Sequence, residues 1–493
     1  MAAYIWHSQN LTDAVKALNP VWQGDFSGTA TRIITDTRQL KSGDIFLAIE
    51  GENFDGHHYL QTAIDQGAVA CIVSRAQPIA IAQLIVTDTK LALGQLGAYR
   101  RRQHPNLKVI AITGSMGKTS TKEMLGSILS GIAPTLITRG NLNNDLGVPM
   151  MLLELEDSHQ FAVMELGANH VGEIAYTTHL VKPDVACVLN IGTAHLGEFG
   201  GRDNIARTKA EIYQGLQDSG VAIVPFGDDY ADTLWQKASQ FTANILTFGE
   251  CKTTFEAAGI DPVDYQSMQM TASDTVLMMG DVFADDVEVG NDCQFSLNIN
   301  LTVDEVDSIE VQLPFAGAHN VNNALAAAAC ATALGIGIDA IAHGLSCAKP
   351  AKGRLNFIKW GQHTLIDDTY NSNPSAVLAA AEVLIEQPTK KVLVLGDIGE
   401  LGEDSAKEHE ALGHQLASLP IDALWVVGDF MAHTATAANQ VQPTLARHFA
   451  DKPSLAQALQ QLMASTPCSV LFKGSRYTAM ETLIADILAS ESQ

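Results

Sequence analysis

The stretch 107–123, LKVIAITGSMGKTSTKE, constrains this chain more than any other. The apolar run Val109–Ile112 predicts a buried parallel strand, which breaks at Gly114 and Gly117 before Lys118, Thr119 and Ser120 open a helix. Glycines let backbone N–H groups turn inward on an anion, and a helix N-terminus adds partial positive charge. A lysine after the last glycine reaches outer phosphates, and the hydroxyl that follows can sit on Mg²⁺. The common phosphate-loop spacing places a further glycine where this chain has Ile112. The alternative is a strand, tight turn and helix with no ligand.

A chain of 493 residues exceeds one ordinary core and predicts about three domains. Hydrophobic residues at 46% against 17% charged allow large cores and argue against disorder. A formal charge of −25 disfavours nucleic acid and anionic membrane, so an anionic ligand needs a focused positive site such as Lys118 with its loop amides. The seven cysteines are odd in number, scattered and never arranged as CxxC, which implies neither a disulfide frame nor a zinc site. The start, MAAYIWHSQNLTD, lacks the pattern of a signal peptide, and the alanine-rich run 324–338 is too short to cross a bilayer. A soluble, cytoplasmic protein without membrane insertion is expected.

Three α/β units are read along the chain, with boundaries at 1–106, 107–347 and 348–493. The first is small, with strands within 44–49 and 68–73, polar clusters at Asp36-Thr37-Arg38 and Asp55-Gly56-His57, and a basic linker at Tyr99–His104. In the second, strands and helices alternate, the pattern of a mostly parallel sheet, with an acidic antiparallel addition at about 253–310. The third alternates again and places polar residues after its strands: Asp367-Asp368, Gly396-Asp397, Gly428-Asp429 and Lys473-Gly474-Ser475-Arg476. It reads as Rossmann-like but carries no GxGxxG fingerprint.

Open sheets of this kind bind ligands beyond the carboxyl ends of their strands. Glu165 ends the run that starts at Phe161, where a metal-binding carboxylate belongs. His195 follows the run Val185–Ile191 and is either a metal or phosphate contact or structural. Lys209 falls inside the helical stripe of Ile205, Ile212, Tyr213 and Leu216. Burial there favours the neutral amine, which can take up CO₂ as a carbamate, in effect a long carboxylate suited to Mg²⁺. The alternative is a lysine that snorkels to water. Asn320 and Asn323, at the start of a helix, either cap it or hydrogen-bond an adenine edge. Arg354 and Asp368 are candidates for phosphate and ribose contacts from the third unit.

Together these residues resemble the Mur ligase family, the ATP-dependent amino-acid ligases of peptidoglycan precursor synthesis. The resemblance spans nearly the whole chain, through TGSMGKTSTKE, GNLNNDLGVP, MELGAN, AHLGEFG, ARTKAEIY, HNVNNALAAAA, DDTYNSNP, GDIGELG and KGSR in the family's order. It implies a cytoplasmic bacterial enzyme, a monomer, that uses ATP, two Mg²⁺ ions and a carbamylated Lys209. Gly114, Ser115, Gly117, Lys118, Thr119 and Ser120 would then hold the ATP phosphates, and Thr119, Glu165, His195 and Lys209 the metals. Asn320 and Asn323 would read adenine, Arg354 the γ-phosphate and Asp368 the ribose. The branch motifs DDTYNSNP, GDIGELG and KGSR imply UDP-N-acetylmuramoyl-tripeptide and D-alanyl-D-alanine as substrates. Asp36, Thr37 and Arg38 would hold the UDP end, and Asn141, Asn144, Asn371, Asn373 and Lys473 the peptide site. Two departures fall at the dipeptide end: Ser372 stands where the family has alanine, and Tyr477-Thr478-Ala479 follows KGSR in place of serine, methionine and arginine. Rival readings are a folylpolyglutamate synthetase and a phosphate-loop switch that performs no ligation.

Overall fold

The computed structural model describes residues 4–51, 54–192, 199–254, 275–290, 294–302 and 307–489. Its strands form sheets of five, nine, two and six members. The five-stranded sheet runs in the order Val21–Gln23, Gln83–Ile85, Ala70–Val73, Ile45–Leu47, Ile33–Ile34, with only the first strand antiparallel to its neighbour. The short parallel strands are apolar at successive positions, as expected where both faces are covered. Ile45, Leu47 and Ile72 enter one hydrophobic cluster, and Phe46, Cys71 and Val73 enter the other.

The nine-stranded sheet begins with three antiparallel strands, Asp307–Leu313, Phe295–Leu301 and Val282–Val289. It continues in parallel through Ile245–Phe248, Val221–Pro225, Val185–Val188, Lys108–Thr113, Phe161–Glu165 and Thr135–Ile137. Alternation along the central strand sends Ile110 and Ile112 into one core and Val109 and Ala111 into the other. Most of the alanine-rich run lies in the helix His319–Ala333, which ends before Leu334, and residues 324–331 are all buried. Small side chains let that helix approach the sheet closely. The acidic region supplies the antiparallel edge, plus a two-stranded ladder of Glu250–Thr254 with Thr275–Met279; its residues 255–274 lie outside the described residues.

The six-stranded sheet has the order Asn356–Trp360, His363–Asp368, Cys468–Lys473, Lys390–Gly396, Ala423–Val427, Ala446–Phe449, parallel except at its first pair. Its two faces are again packed separately, with Leu393 and Leu395 in one cluster and Val392 and Val394 in the other.

The stretch read as a basic linker is something else. Tyr99–Arg102 is the last turn of the helix Thr89–Arg102, and both Arg100 and Arg101 are buried. Arg100 donates to the Leu155 carbonyl through Nε (3.1 Å) and Nη2 (2.7 Å), while Arg101 Nε donates to the Val181 carbonyl (2.9 Å). These carbonyls end two elements of the central unit, so the arginines satisfy otherwise orphaned acceptors and join the first two units.

Candidate active site

The carboxyl ends of the nine- and six-stranded sheets face one cavity of about 1140 Å³. From the central unit it is lined by Ser115, Gly117, Lys118, Thr119, Ser120, Asn141, Asn144, Glu165, Lys209, Asn320 and Asn323. From the C-terminal unit come Arg354, Asp368, Asn371, Asn373 and Lys473. The space suits a nucleotide with additional ligand.

The phosphate loop forms as its glycines require. Gly117 has φ +81°, and a Cβ there would lie 2.1 Å from Asn323 Oδ1, so the helix His319–Ala333 presses an amide against the loop. Lys118 begins the helix Lys118–Ser130 and its Nζ donates back to the Gly114 carbonyl (2.6 Å). Asn190, just beyond the strand Val185–Val188, braces the loop: its Oδ1 accepts from Met116 N (3.0 Å) and its Nδ2 donates to the Met116 carbonyl (3.1 Å).

Glu165 ends its strand buried, at 3% exposure. Asn143 Nδ2 donates to its Oε1 (2.7 Å), and Thr119 Oγ1 donates weakly to its Oε2 (3.4 Å). A hydroxyl and a fixed carboxylate at the cavity floor are the hard oxygen donors that Mg²⁺ selects. Lys209 lies on the helix Arg202–Ala210, which tightens to a 3₁₀ turn over Glu211–Gly215, and is 4% exposed. Burial, reinforced by the neighbouring Lys118 charge, holds its pKa well below the usual lysine value. Among the described residues no hydrogen bond or ion pair reaches its amine. Burial also lowers the Lys118 pKa, against the attraction of Glu165 and with the help of Arg354.

The asparagines expected at the adenine edge do not cap their helix, whose N-cap is Ala318 without a side-chain bond. Asn320 Nδ2 donates to the Ala316 carbonyl (2.7 Å), and Asn323 Nδ2 donates to Asn320 Oδ1 (2.8 Å). Arg354 stacks over the Tyr370 ring at 4.5 Å, and its buried Nε has no hydrogen-bond partner among the described residues. Asp368 Oδ2 accepts from Lys473 Nζ at 2.6 Å, and Lys473 also donates to the Asn371 carbonyl (2.9 Å). Burial lowers the Lys473 pKa while Asp368 opposes the shift. Three of the asparagines expected at the peptide site have oxygens committed to the backbone: Asn144 Oδ1 accepts from Gly147 N (2.8 Å), Asn371 Oδ1 accepts from Ser372 N (2.9 Å), and Asn373 Oδ1 caps the helix Pro374–Ile385 by accepting from Ala376 N (2.8 Å).

Asp36, Thr37 and Arg38 do not line this cavity. They form a short 3₁₀ turn after the strand Ile33–Ile34 in the N-terminal sheet, where Arg38 Nη2 pairs with Asp36 at 2.8 Å. His195 lies outside the described residues. Asn143, Asn190, His319 and Glu400 are site residues that sequence reasoning did not single out, although Asn143 sits inside the motif GNLNNDLGVP.

Three family profiles match the chain: the Mur ligase family catalytic domain at residues 29–118, the Mur ligase middle domain at 112–331, and the Mur ligase glutamate ligase domain at 353–476. The UDP-N-acetylmuramoyl-tripeptide--D-alanyl-D-alanine ligase of Escherichia coli K12 is 40% identical over 95% of this chain and 96% of its own. The chain belongs to the Mur ligase family. A crystal structure of MurF from Acinetobacter baumannii covers 99% of this chain and 100% of its own at 49% identity, with a TM-score of 0.87. A second Mur ligase, MurF from Thermotoga maritima in complex with ADP, is 26% identical, covers 92% of this chain and 96% of its own, and has a TM-score of 0.74. The three-domain α/β architecture is thus that of the family's solved members.

Proposed function

We propose that this chain is an ATP-dependent ligase that joins D-alanyl-D-alanine to UDP-N-acetylmuramoyl-tripeptide in bacterial peptidoglycan synthesis. The observation that carries the reading is the shared cavity. It sets a phosphate loop, a buried carboxylate and a desolvated lysine opposite an arginine and an asparagine-lined wall from another unit. The relatives' printed names supply the substrates. In this reading the units 1–106, 107–347 and 348–493 hold, in order, the UDP end, ATP and the incoming dipeptide. Asp36, Thr37 and Arg38 serve the first of these.

A carboxylate does not react usefully with an amine in water, so two steps are needed. The tripeptide carboxylate attacks the γ-phosphorus of ATP, ADP leaves, and the dipeptide amine then displaces phosphate from the acyl phosphate. Lys118 and the loop residues Gly114, Ser115, Gly117, Thr119 and Ser120 hold the phosphates, and Arg354 meets the γ-phosphoryl charge. Asn320 and Asn323 present the adenine side of the cavity, and Asp368 the ribose side. Thr119 and Glu165 would hold Mg²⁺, and a carbamylated Lys209, with His195 from outside the described residues, would extend the set to a second ion. The chemistry such ions would supply is an offset to the charge that develops on the transferring phosphoryl group. Asn141, Asn144, Asn371, Asn373 and Lys473 line the peptide end. Catalysis is positioning and preorganised charge, and an acyl phosphate requires that water be excluded as the C-terminal unit closes over the central one.

A phosphate-release assay that omits each substrate in turn tests the reading. Release that requires ATP, the nucleotide tripeptide and the dipeptide together is expected. Release indifferent to the dipeptide would support the nucleotide-switch alternative instead.

A further inference from the structure

The helix that opens on Lys118 carries a second buried lysine, to which the mechanism above gives no task. Lys122 lies on the helix Lys118–Ser130 and is 3% exposed. Its Nζ donates to the Thr138 carbonyl (2.9 Å) and pairs with Glu123 Oε1 (3.0 Å). Thr138 follows Thr135–Ile137, the last strand of the nine-stranded sheet, so no further strand lies beside it to take that carbonyl. A methionine would fill much the same space. What the amine adds is a fixed distance between the helix and the strand end.

Thr138 is buried as well, and it holds the strand that ends in Glu165. Its Oγ1 accepts from Glu165 N (2.9 Å) and donates to the Val163 carbonyl (3.3 Å), while its N donates to that same carbonyl (3.0 Å). The chain then turns at Gly140, with φ +54°, and returns with Asn143, whose Nδ2 donates to Glu165 Oε1 (2.7 Å). Segment 138–143 thus grips Glu165 at both ends, by its main chain at Thr138 and by its carboxylate at Asn143. Lys122 ties the first grip to the phosphate-loop helix. Thr119 stands three residues earlier on that helix and on the same face, with Oγ1 3.4 Å from Glu165 Oε2. One helix therefore sets both sides of the gap, the hydroxyl directly and the carboxylate through Lys122 and Thr138.

We propose that Lys122 is a positioning residue for the divalent-cation site, acting through Thr138 to fix the spacing between Thr119 Oγ1 and the Glu165 carboxylate. Neither Lys122 nor Thr138 lines the cavity, so neither meets the nucleotide. Mg²⁺ tolerates little error in the distances between its oxygen donors, and the groups that orient a ligating carboxylate govern its affinity nearly as much as the ligand does. A carboxylate free to drift loses the cation while the loop amides keep the phosphates. This inference rests on the reading that Thr119 and Glu165 hold Mg²⁺, and it names what holds them in place.

The test is calorimetric, on the whole chain and without turnover: affinity for the non-hydrolysable ATP analogue AMP-PNP, measured in saturating Mg²⁺ and again in EDTA. The ratio of the two affinities reads what the cation contributes. Lys122→Met and Thr138→Val should each lower that ratio by about tenfold or more while the affinity in EDTA stays in place. Thr138→Ser, which keeps the hydroxyl, should keep the wild-type ratio, and Lys122→Arg should retain part of it. An undiminished ratio in folded Lys122→Met or in Thr138→Val overturns the inference, and so do equal losses with and without Mg²⁺, the mark of a merely structural role. Thr138→Val decides the matter if the methionine variant fails to fold. Glu165→Gln separates the premise. An undiminished ratio there overturns the metal reading and this inference with it, whereas a fall in Glu165→Gln alone overturns only the inference.

Discussion

Lys209 and Lys473 are the same residue type, each almost fully buried, at 4% and 1% exposure, in the walls of the same cavity. Their company differs. Lys473 faces a carboxylate at 2.6 Å and a backbone carbonyl at 2.9 Å, so an ammonium there is answered inside the chain. Lys209 faces another cation, Lys118, and among the described residues no acceptor. Burial alone does not assign a role to a lysine. A buried ammonium with a partner locks structure, whereas a buried amine without one is driven neutral and becomes a nucleophile.

The comparison breaks most sharply at Lys473. Replacement by methionine leaves Asp368 buried and unanswered, and urea unfolding should show a loss of about 3–5 kcal/mol. The double variant with Asp368→Asn should recover most of that loss. Lys209→Ala leaves no orphan, so its stability should change little or rise, while turnover should fall by about 10²–10³-fold, the scale of removing one preorganised charge-bearing group. Added formate or acetate should recover part of the activity, and full activity without them would remove the carbamate from the account.

A third variant sharpens the contrast on the metal side. Asn143→Ala releases Glu165 Oε1 and should weaken apparent Mg²⁺ affinity by about 10–100-fold, read from the Mg²⁺ dependence of turnover, at a stability cost of about 1 kcal/mol. The smallest effect is in pH. With the Lys209 pKa depressed below the ordinary 10.5, the unfolded chain binds more protons than the native one between the two values. Stability therefore rises with pH through that window, by up to about 1.4 kcal/mol per pH unit, and is flat in this respect below the depressed value. Chemical denaturation across alkaline pH in CO₂-free buffer should show a shallower slope for Lys209→Met than for the wild type.

What the sequence disclosed was local. The phosphate loop, Glu165 at its strand end and Lys209 on an apolar stripe are each written within a dozen residues, where glycine chemistry and helical periodicity act. Lys209 is buried as the stripe requires, even though the helix ends at Ala210 and continues only as a 3₁₀ turn. What stayed hidden depends on contacts between distant segments. No local pattern shows that Asn143 will orient Glu165, or that Asn190 will brace Met116. Nor does the basic stretch Tyr99–His104 show that Arg100 and Arg101 will bury themselves on the terminal carbonyls of other elements. The motif DDTYNSNP likewise does not show that Asn373, which lines the cavity, will also cap a helix with its oxygen.

The proposal that Lys209, unlike the ion-paired Lys473, takes up CO₂ as a carbamate can be tested directly by ¹³C NMR of protein equilibrated with ¹³C-bicarbonate. One carbamate resonance is predicted, retained in Lys473→Met if that variant folds and absent from Lys209→Ala. No carbamate signal in the wild type, or one that survives in Lys209→Ala, would contradict the account.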